Sequence, residues 1–195
     1  MARGKVGTRF TGTRRLLARP LPGDWGLAAT ENGLRVTRPL SPGRIPVDGS
    51  RTSQLVSGLL MALPGLTADS ELVLTGPLAS RPYVDLTLAV LERCGIVIEE
   101  SPGGFFVPGG QRFRPVPIEP EPDWSAAAFW LAIAALGCPV EVTGLRRDSL
   151  QGDRAAGALC RCLPDTVDLT DIPDLLPPLA LAAALQPGKC TRFTL

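Results

Sequence analysis

The chain of 195 residues contains no histidine. Histidine is the side chain that proteins use most often as a general base and as a metal ligand, so both of these common uses are excluded. Any acid–base chemistry must therefore use Asp, Glu, Lys or Tyr side chains. Cysteine offers no substitute as a metal ligand, because only Cys160 and Cys162 of the five cysteines lie close together in the sequence. We expect no metal site, and reduced, buried thiols as in a cytosolic protein.

The chain also lacks an excess of charge of either sign. Twenty Lys and Arg residues balance nineteen Asp and Glu residues, which gives a net charge of +1. A nucleic-acid-binding protein would show a basic excess, so a small, locally bound anion fits this composition better. The first ten residues lack the apolar run of a signal peptide, and the most apolar predicted helix, residues 126–136, is too short to span a bilayer. We expect a cytoplasmic protein that binds neither nucleic acid nor membrane.

What the sequence does contain is an internal repeat. A polar turn opens an apolar helix, a strand ending in Thr-Gly follows, and a second polar turn opens a second helix. Residues 50–96 form one copy and residues 123–163 another, with parts of further copies at residues 8–20 and 171–195. Strands that alternate with helices predict an α/β fold of parallel βαβ units with right-handed crossovers. The predicted strands are residues 6–11, 34–37, 45–47, 71–75, 115–118, 140–143, 167–169 and 191–195, with a hairpin over residues 96–107.

The most informative polar turn is DGSRTSQ, residues 48–54. Apolar residues recur at helical spacing over residues 55–63, so the hydroxyls of the turn lie on the first turn of a buried helix. The first N–H groups of a helix have no internal partner and carry a positive partial charge. The hydroxyls can cap the helix, or they can hold a phosphate together with those N–H groups. Equivalent turns that converge on one cleft would make a strong anion site.

Six short segments together resemble the 5-enolpyruvylshikimate-3-phosphate (EPSP) synthase family, whose members are also called 3-phosphoshikimate 1-carboxyvinyltransferases. The segments occur in the family's order over nearly the whole chain, and this makes the resemblance specific although each segment alone is weak. They are Arg19-Pro20, DGSRTSQ at residues 48–54, SRPYVDLTL at residues 80–88, DWSAA at residues 123–127, SLQGD at residues 149–153 and IPD at residues 172–174.

The resemblance implies a fold of two domains, each built from three βαβαββ units, as in enolpyruvyl transferases and RNA 3'-terminal cyclases. Residues 1–150 would be most of one domain and residues 151–195 the start of the second, so we expect an incomplete architecture. The implied reaction transfers the enolpyruvyl group of phosphoenolpyruvate to the 5-hydroxyl of shikimate 3-phosphate, in the shikimate pathway of aromatic amino acid biosynthesis. No metal or organic cofactor is implied, and the family is monomeric.

The resemblance also implies roles for individual side chains. Three hydroxyls are implied as ligands of the shikimate phosphate, namely Thr52, Ser53 and Ser80. Gln54 is implied to contact both substrates, Tyr83 to contact the shikimate side and Arg19 to hold phosphoenolpyruvate. Asp174 is implied to contact the shikimate hydroxyls and to act as the general base. These roles agree with the chemistry, because hydroxyls and helix N–H groups suit a phosphate and arginine grips an oxyanion with two N–H groups.

Asp153, in the SLQGD segment, has two interpretations that the sequence leaves open. Its carboxylate can line the substrate cleft, or it can simply interact with the dipole of the helix that begins there.

The chain departs from the family pattern at both ends. The family's N-terminal Lys-Ser pair and arginine, its Asn-Ala-Gly-Thr segment and its C-terminal Lys-Glu-x-Asp-Arg segment are not found in the sequence. These segments supply the proposed proton donor and most of the phosphoenolpyruvate clamp. We therefore expect the isolated chain to bind shikimate 3-phosphate weakly and to turn over little or nothing.

Two alternatives to an active enzyme of this kind follow. The chain can be a non-catalytic fragment that binds a phosphorylated ligand, or one half of a split enzyme that needs a partner chain. A third interpretation is an enolpyruvyl transferase that acts on a nucleotide sugar and uses a reactive loop cysteine. No cysteine lies in an obvious exposed loop, and the SRPY sequence at residues 80–83 favours the shikimate enzyme.

Overall fold

The computed structural model describes residues 27–30, 33–50, 53–186, 188 and 190–195. The predicted strand at residues 6–11 and the predicted ligands Arg19 and Thr52 lie outside these ranges. A hairpin comes first, in which β1 (Leu27–Thr30) pairs antiparallel with β2 (Gly33–Val36). The strand predicted at residues 34–37 corresponds to β2.

The next elements form one βαβαββ unit, called here the first unit. They are β3 (Gly43–Val47), α1 (Ser53–Ala62), β4 (Ser70–Leu74), α2 (Arg81–Arg93), β5 (Glu99–Ser101) and β6 (Gly104–Val107). The sheet has the order β3-β4-β6-β5, with β3 parallel to β4 and the other pairs antiparallel. The α/β class, the parallel βαβ step and the hairpin predicted from the sequence are therefore confirmed in this unit.

The spacing of apolar residues explains how α1 packs against the sheet of the first unit. Val56 and Leu60 of α1, at the predicted helical spacing, are fully buried, and they share a core with Leu72 of β4 and Phe105 of β6. Burying a side chain of this size contributes about 1.5–3 kcal/mol to stability. Because β3 and β4 run parallel, the helices that follow them begin at the same edge of the sheet. The polar turns before α1 and α2 therefore lie at one edge.

The later elements form a smaller core, called here the second unit. They are α3 (Trp124–Ala135), α4 (Ala156–Leu159), β7 (Thr166–Asp168), α5 (Leu176–Ala184) and β8 (Arg192–Thr194), with 3₁₀ turns at Gly152–Ala155 and Pro173–Leu175. The second helix of the copy predicted at residues 123–163 is shorter than expected, because it ends at Leu159. β7 and β8 are parallel, and Leu169, Leu175 and Leu179 are fully buried. This core joins α3 to α4 and α5, and the domain boundary predicted at residue 150 stays a prediction.

Two predicted strands, residues 115–118 and 140–143, are wrong: both segments are irregular. A strand is stable only when its N–H and C=O groups pair with a neighbouring strand. Pro115 and Pro117 remove two of the four N–H donors from the first segment. The second segment keeps its alternating apolar pattern, but no strand in the described part of the chain pairs with it.

α3 is apolar on nearly all sides. Asp123 caps its N-terminus, because Asp123 Oδ1 accepts hydrogen bonds from the N–H groups of Ser125 at 2.8 Å and Ala126 at 3.2 Å. Ala-rich positions of α3 pack inside the second unit, whereas Phe129 is 43% and Trp130 is 55% exposed. Over the residues that the structure describes, neither α3 nor any other helix is long and apolar enough to cross a membrane.

Candidate functional site

The polar turn before α1 is built by Asp48. Its Oδ1 accepts hydrogen bonds from the backbone N–H of Ser50 at 3.1 Å and from the Ser50 hydroxyl at 2.6 Å. An Asp side chain that binds the chain two residues on bends the backbone. The bend follows directly after the buried end of β3, so α1 begins at Ser53. Ser53 is buried, with 7% of its surface exposed, and Gln54 beside it is exposed.

The polar turn before α2 contains the one non-glycine residue with a left-handed backbone in the described ranges. This residue is Ser80, with φ +54°, a conformation that costs about 1–3 kcal/mol for a side chain of this kind. Its hydroxyl does not cap α2. Instead, both the N–H and the hydroxyl of Ser80 donate to the carbonyl oxygen of Thr170, at 3.3 and 3.4 Å. The Ser80 side chain is therefore held by the second unit and does not cap α2.

The two polar turns are also joined to each other. The N–H of Ala79 donates to the carbonyl oxygen of Gly49 at 3.0 Å. Farther inside, the hydroxyl of Thr87 on α2 lies 3.0 Å from that of Ser57 on α1. These contacts keep the N-terminal ends of α1 and α2 side by side at one edge of the sheet.

Residues 80–83 contact residues 152–174 of the second unit, and we call this contact the junction. Besides the Ser80 contacts, the backbone N–H of Arg81 donates to Asp171 Oδ1 at 3.2 Å, and the hydroxyl of Tyr83 donates to Asp153 Oδ2 at 2.9 Å. Gly152 lets the two sides approach, because a methyl group there would lie 2.9–3.0 Å from side-chain carbons of Ile172 and Pro82.

Three ionisable groups near the junction, Tyr83, Asp153 and Asp174, interact electrostatically. Burial raises the pKa of the Tyr83 hydroxyl far above its ordinary value, and the hydrogen bond and charge of Asp153 raise it further, with a smaller effect of Asp174. Burial also raises the pKa of Asp153, and the charges of Asp174 and Asp123 add to this, whereas the hydrogen bond from Tyr83 opposes it. Tyr83 is thus a hydrogen-bond donor at neutral pH, next to two carboxylates.

The structure decides against one of the two interpretations of Asp153 that the sequence left open. Asp153 is 2% exposed, so it is buried at the junction and does not line an open cleft. It lies in the first turn of the 3₁₀ helix Gly152–Ala155, as the dipole interpretation expects, and its carboxylate also binds Tyr83. Among the described residues, Asp153 Oδ1 has no hydrogen-bond partner.

The guanidinium of Arg81 points to a different part of the first unit. It donates to Glu100 through two N–H groups, at 2.7 and 2.8 Å, and to Asp85 at 2.6 Å. Glu100 and then Asp85 raise the pKa of Arg81, and Arg81 lowers the pKa of Glu100. This charge therefore orients the start of α2 and is already matched by two carboxylates, so it is not a free anion clamp.

The SLQGD segment connects α3 to the junction. Gln151 accepts a hydrogen bond from the backbone N–H of Trp124 at 2.7 Å and donates to the carbonyl oxygen of Pro122 at 2.9 Å. The indole N–H of Trp124 donates to the carbonyl oxygen of Arg146 at 3.1 Å. These contacts fix the segment that carries Gly152 and Asp153, so its role in the described structure is to build the junction.

Of the predicted site residues, Ser80 and Tyr83 lie in the junction. Asp174 lies close enough to Tyr83 to affect its pKa, and it is exposed in the 3₁₀ turn that opens α5. Ser53 lies at the neighbouring end of α1. Gln54 instead lines a separate cavity of about 290 Å³ between α1 and the segment after β2. Arg19 and Thr52 lie outside the described residues.

Sequence reasoning missed the part of the site formed by residues 168–171. Asp168 Oδ1 accepts hydrogen bonds from the N–H and the hydroxyl of Thr170, at 2.9 and 2.6 Å. This repeats the contact of Asp48 with Ser50, again at the end of a parallel strand. The sequence contains the signal, because Asp-x-Ser/Thr occurs at the ends of both strands, but the copy predicted at residues 171–195 does not include it.

The expectation of buried thiols is wrong for three of the five cysteines. Cys160 is buried and Cys94 is half-buried, but Cys138, Cys162 and Cys190 are exposed. Cys138 lies exposed in the irregular segment after α3. The argument that no cysteine lies in an exposed loop therefore no longer counts against a nucleotide-sugar enzyme. Within the described ranges, no three Cys, Asp or Glu side chains are grouped so that they could hold a metal ion.

Comparison with known proteins identifies relatives of the chain. The family model for EPSP synthase (3-phosphoshikimate 1-carboxyvinyltransferase) matches residues 28–161. A 3-phosphoshikimate 1-carboxyvinyltransferase of Idiomarina loihiensis is 48% identical over 62% of this chain and 29% of its own length. Enzymes of the same name from Clostridium kluyveri and Methanocorpusculum labreanum are 34% and 31% identical, over 92% and 93% of this chain and 49% and 50% of their own lengths. The chain thus spans half or less of the length of these relatives.

Proposed function

The chain belongs to the EPSP synthase (3-phosphoshikimate 1-carboxyvinyltransferase) family, and we propose from this premise that it carries the shikimate 3-phosphate side of the active site. The complete reaction would transfer the enolpyruvyl group of phosphoenolpyruvate to the 5-hydroxyl of shikimate 3-phosphate and release phosphate. Because the chain spans half or less of its relatives' length, the activity of the whole enzyme is part of this proposal.

The observation that carries the proposal is that the starts of α1 and α2 lie side by side, next to the junction. The N-terminal ends of α1 and α2 lie at one edge of the sheet, with Ser53 on one and Ser80 next to the other. Hydroxyls at the positive ends of two helix dipoles favour a phosphate. The strained backbone of Ser80 supports this further, because such strain is common where a side chain is held ready for a ligand.

The proposed roles follow from these positions. Ser53, Ser80 and Thr52 would bind the shikimate phosphate. Tyr83 would contact the shikimate ring, and Asp174, which is exposed beside it, would accept the proton of the attacking 5-hydroxyl. Arg19 and Gln54 would contact phosphoenolpyruvate, and Gln54 would also contact shikimate 3-phosphate. No cofactor is proposed, and the cytoplasmic location and the monomeric state stay predictions.

Calorimetric titration with shikimate 3-phosphate tests the proposal. We expect saturable binding that Ser53→Ala and Ser80→Ala each weaken about 10- to 100-fold, as for a hydrogen bond to a charged group. Ser101→Ala is the matched control, since Ser101 lies exposed at the end of β5 and its hydroxyl donates to Gly104. Absence of saturable binding, or equal binding by all three variants, would contradict the proposal.

A second candidate is a binding half that needs a partner chain for turnover. The exposed aromatic side chains of α3 favour it, because a helix that is apolar on all sides is normally covered. The test measures phosphate release by the 195-residue chain with both substrates. Binding without turnover supports the second candidate. Turnover that Asp174→Asn abolishes would show that the chain is competent alone and would exclude it.

A further inference from the structure

Tyr83 and Asp153 form a hydrogen bond that involves a buried carboxylate. The hydroxyl of Tyr83 donates to Asp153 Oδ2 at 2.9 Å, across the junction between the two units. Asp153 is 2% exposed, and its Oδ1 has no partner among the described residues. A buried carboxylate with an unsatisfied oxygen destabilises a fold. Packing alone therefore gives no reason for an aspartate at this position.

The surroundings of Asp153 do not compensate its charge. Two carboxylates, Asp174 and Asp123, act on it unfavourably, and Tyr83 is the group that favours the charged form. The nearest cation in sequence, Arg154, donates to the carbonyl oxygen of Ser149 at 2.6 Å. The hydrogen bond from Tyr83 is thus the favourable interaction of the Asp153 carboxylate.

The consequence for Tyr83 is a fixed orientation. Tyr83 lies in the first turn of α2, beside Ser80, and its hydroxyl is tied to the second unit near Asp174. Without the carboxylate, the hydroxyl would lose its acceptor, and the ring would gain rotational freedom.

We propose that Asp153 is a positioning residue, which holds Tyr83 in the orientation that contacts the shikimate side of the ligand. The inference rests on the proposed function, because Tyr83 contacts that ligand only there. Asp153 acts through Tyr83 and does not touch the ligand. A purely structural carboxylate would affect stability alone, whereas a positioning carboxylate affects ligand affinity through one specific tyrosine.

The chain allows a direct spectroscopic test, because Tyr83 is its one tyrosine. The near-ultraviolet absorbance of tyrosinate, measured against pH in the 195-residue chain, therefore reports on this residue alone. In the wild type we expect no ionisation until the chain unfolds at high pH. In Asp153→Asn the negative charge is removed, and ionisation should begin about one pH unit lower or more. Asp165→Asn, which changes an exposed aspartate of the second unit, should leave the titration unchanged.

Binding of shikimate 3-phosphate, measured by calorimetry at neutral pH, completes the test. We expect Asp153→Ala and Tyr83→Phe each to weaken binding about 10-fold, and the double variant to be no weaker than either one, because both remove the same hydrogen bond. Additive losses, an unchanged Tyr83 titration in Asp153→Asn, or unchanged affinity in Asp153→Ala would each overturn the inference while the wild type still binds. A wild type that does not bind would overturn the proposed function, and the positioning role with it.

Discussion

Gly152→Ala is the substitution that should separate the two sides of the junction. The added methyl group would lie 2.9 Å from Ile172 Cγ2 and 3.0 Å from Cβ and Cγ of Pro82. Carbon atoms in ordinary contact are about 3.5–4.0 Å apart, so the overlap is about 0.5–1 Å. A proline ring and a β-branched side chain cannot rotate away easily. The backbones must therefore move apart.

The size of this movement decides the functional effect. The Tyr83–Asp153 hydrogen bond is 2.9 Å long, and a separation of about 0.5 Å would stretch it beyond the range of good hydrogen bonds. Overpacking of this kind costs about 1–3 kcal/mol of stability. We expect Gly152→Ala to lower the free energy of unfolding by that amount and to lower the pH at which Tyr83 ionises.

Urea unfolding and the tyrosinate titration measure both effects. Gly157→Ala is the matched control, because its methyl group would meet the Trp124 ring at ordinary distances of 3.4 and 3.6 Å. Alanine also favours a helix over glycine by about 1 kcal/mol, so this variant should be no less stable than the wild type. If Gly152→Ala unfolds at the same urea concentration as the wild type and Tyr83 titrates unchanged, the junction is not packed as described.

Three further predictions concern stability. Gly104→Ala should lower the free energy of unfolding, measured in urea, by about 2–5 kcal/mol, because Gly104 has φ +148° and a methyl group there overlaps the carbonyl oxygen of Leu72. In the control Gly103→Ala the added methyl group meets no atom within 4 Å, so the loss should be far smaller. Asp123→Ala should lose the cap of α3 and lower the free energy of unfolding by about 1 kcal/mol, whereas no change in melting temperature would argue against the cap. The raised pKa of Asp153 stabilises the fold at low pH, and this contribution is lost as pH rises through that pKa. The free energy of unfolding of the wild type, relative to that of Asp153→Asn, should therefore fall from about pH 4 upward. A difference between the two proteins that does not change with pH would contradict the burial of this group.

The first unit was predictable because its signals are local. Helical spacing of apolar residues indicates α1 and α2, and a Gly-containing turn indicates the hairpin of β5 and β6. Residues 140–143 show the limit of this reasoning. Their alternating pattern is that of a strand, but the pattern does not specify a partner, and none is present in the described part of the chain.

The candidate site was predictable only in part. The resemblance to the family pointed to Ser80, Tyr83 and Asp174 as one set of ligands. It did not reveal the left-handed backbone of Ser80 or the burial of Asp153. Both depend on contacts between residues that are 70–90 positions apart, for which a single sequence carries no periodic signal.

The distance along the chain between the two sides of the junction has a consequence for folding. Ser80 and Arg81 each contact a partner 90 residues away, whereas most core contacts of the first unit lie within residues 45–107. Closing such long loops is entropically unfavourable, so these contacts should form after both cores and open before them. The amides of Ser80 and Arg81 should then exchange hydrogen faster than that of Leu91 in the core. A ligand that binds across the junction would slow this exchange, and so would stabilise the part of the fold that forms last.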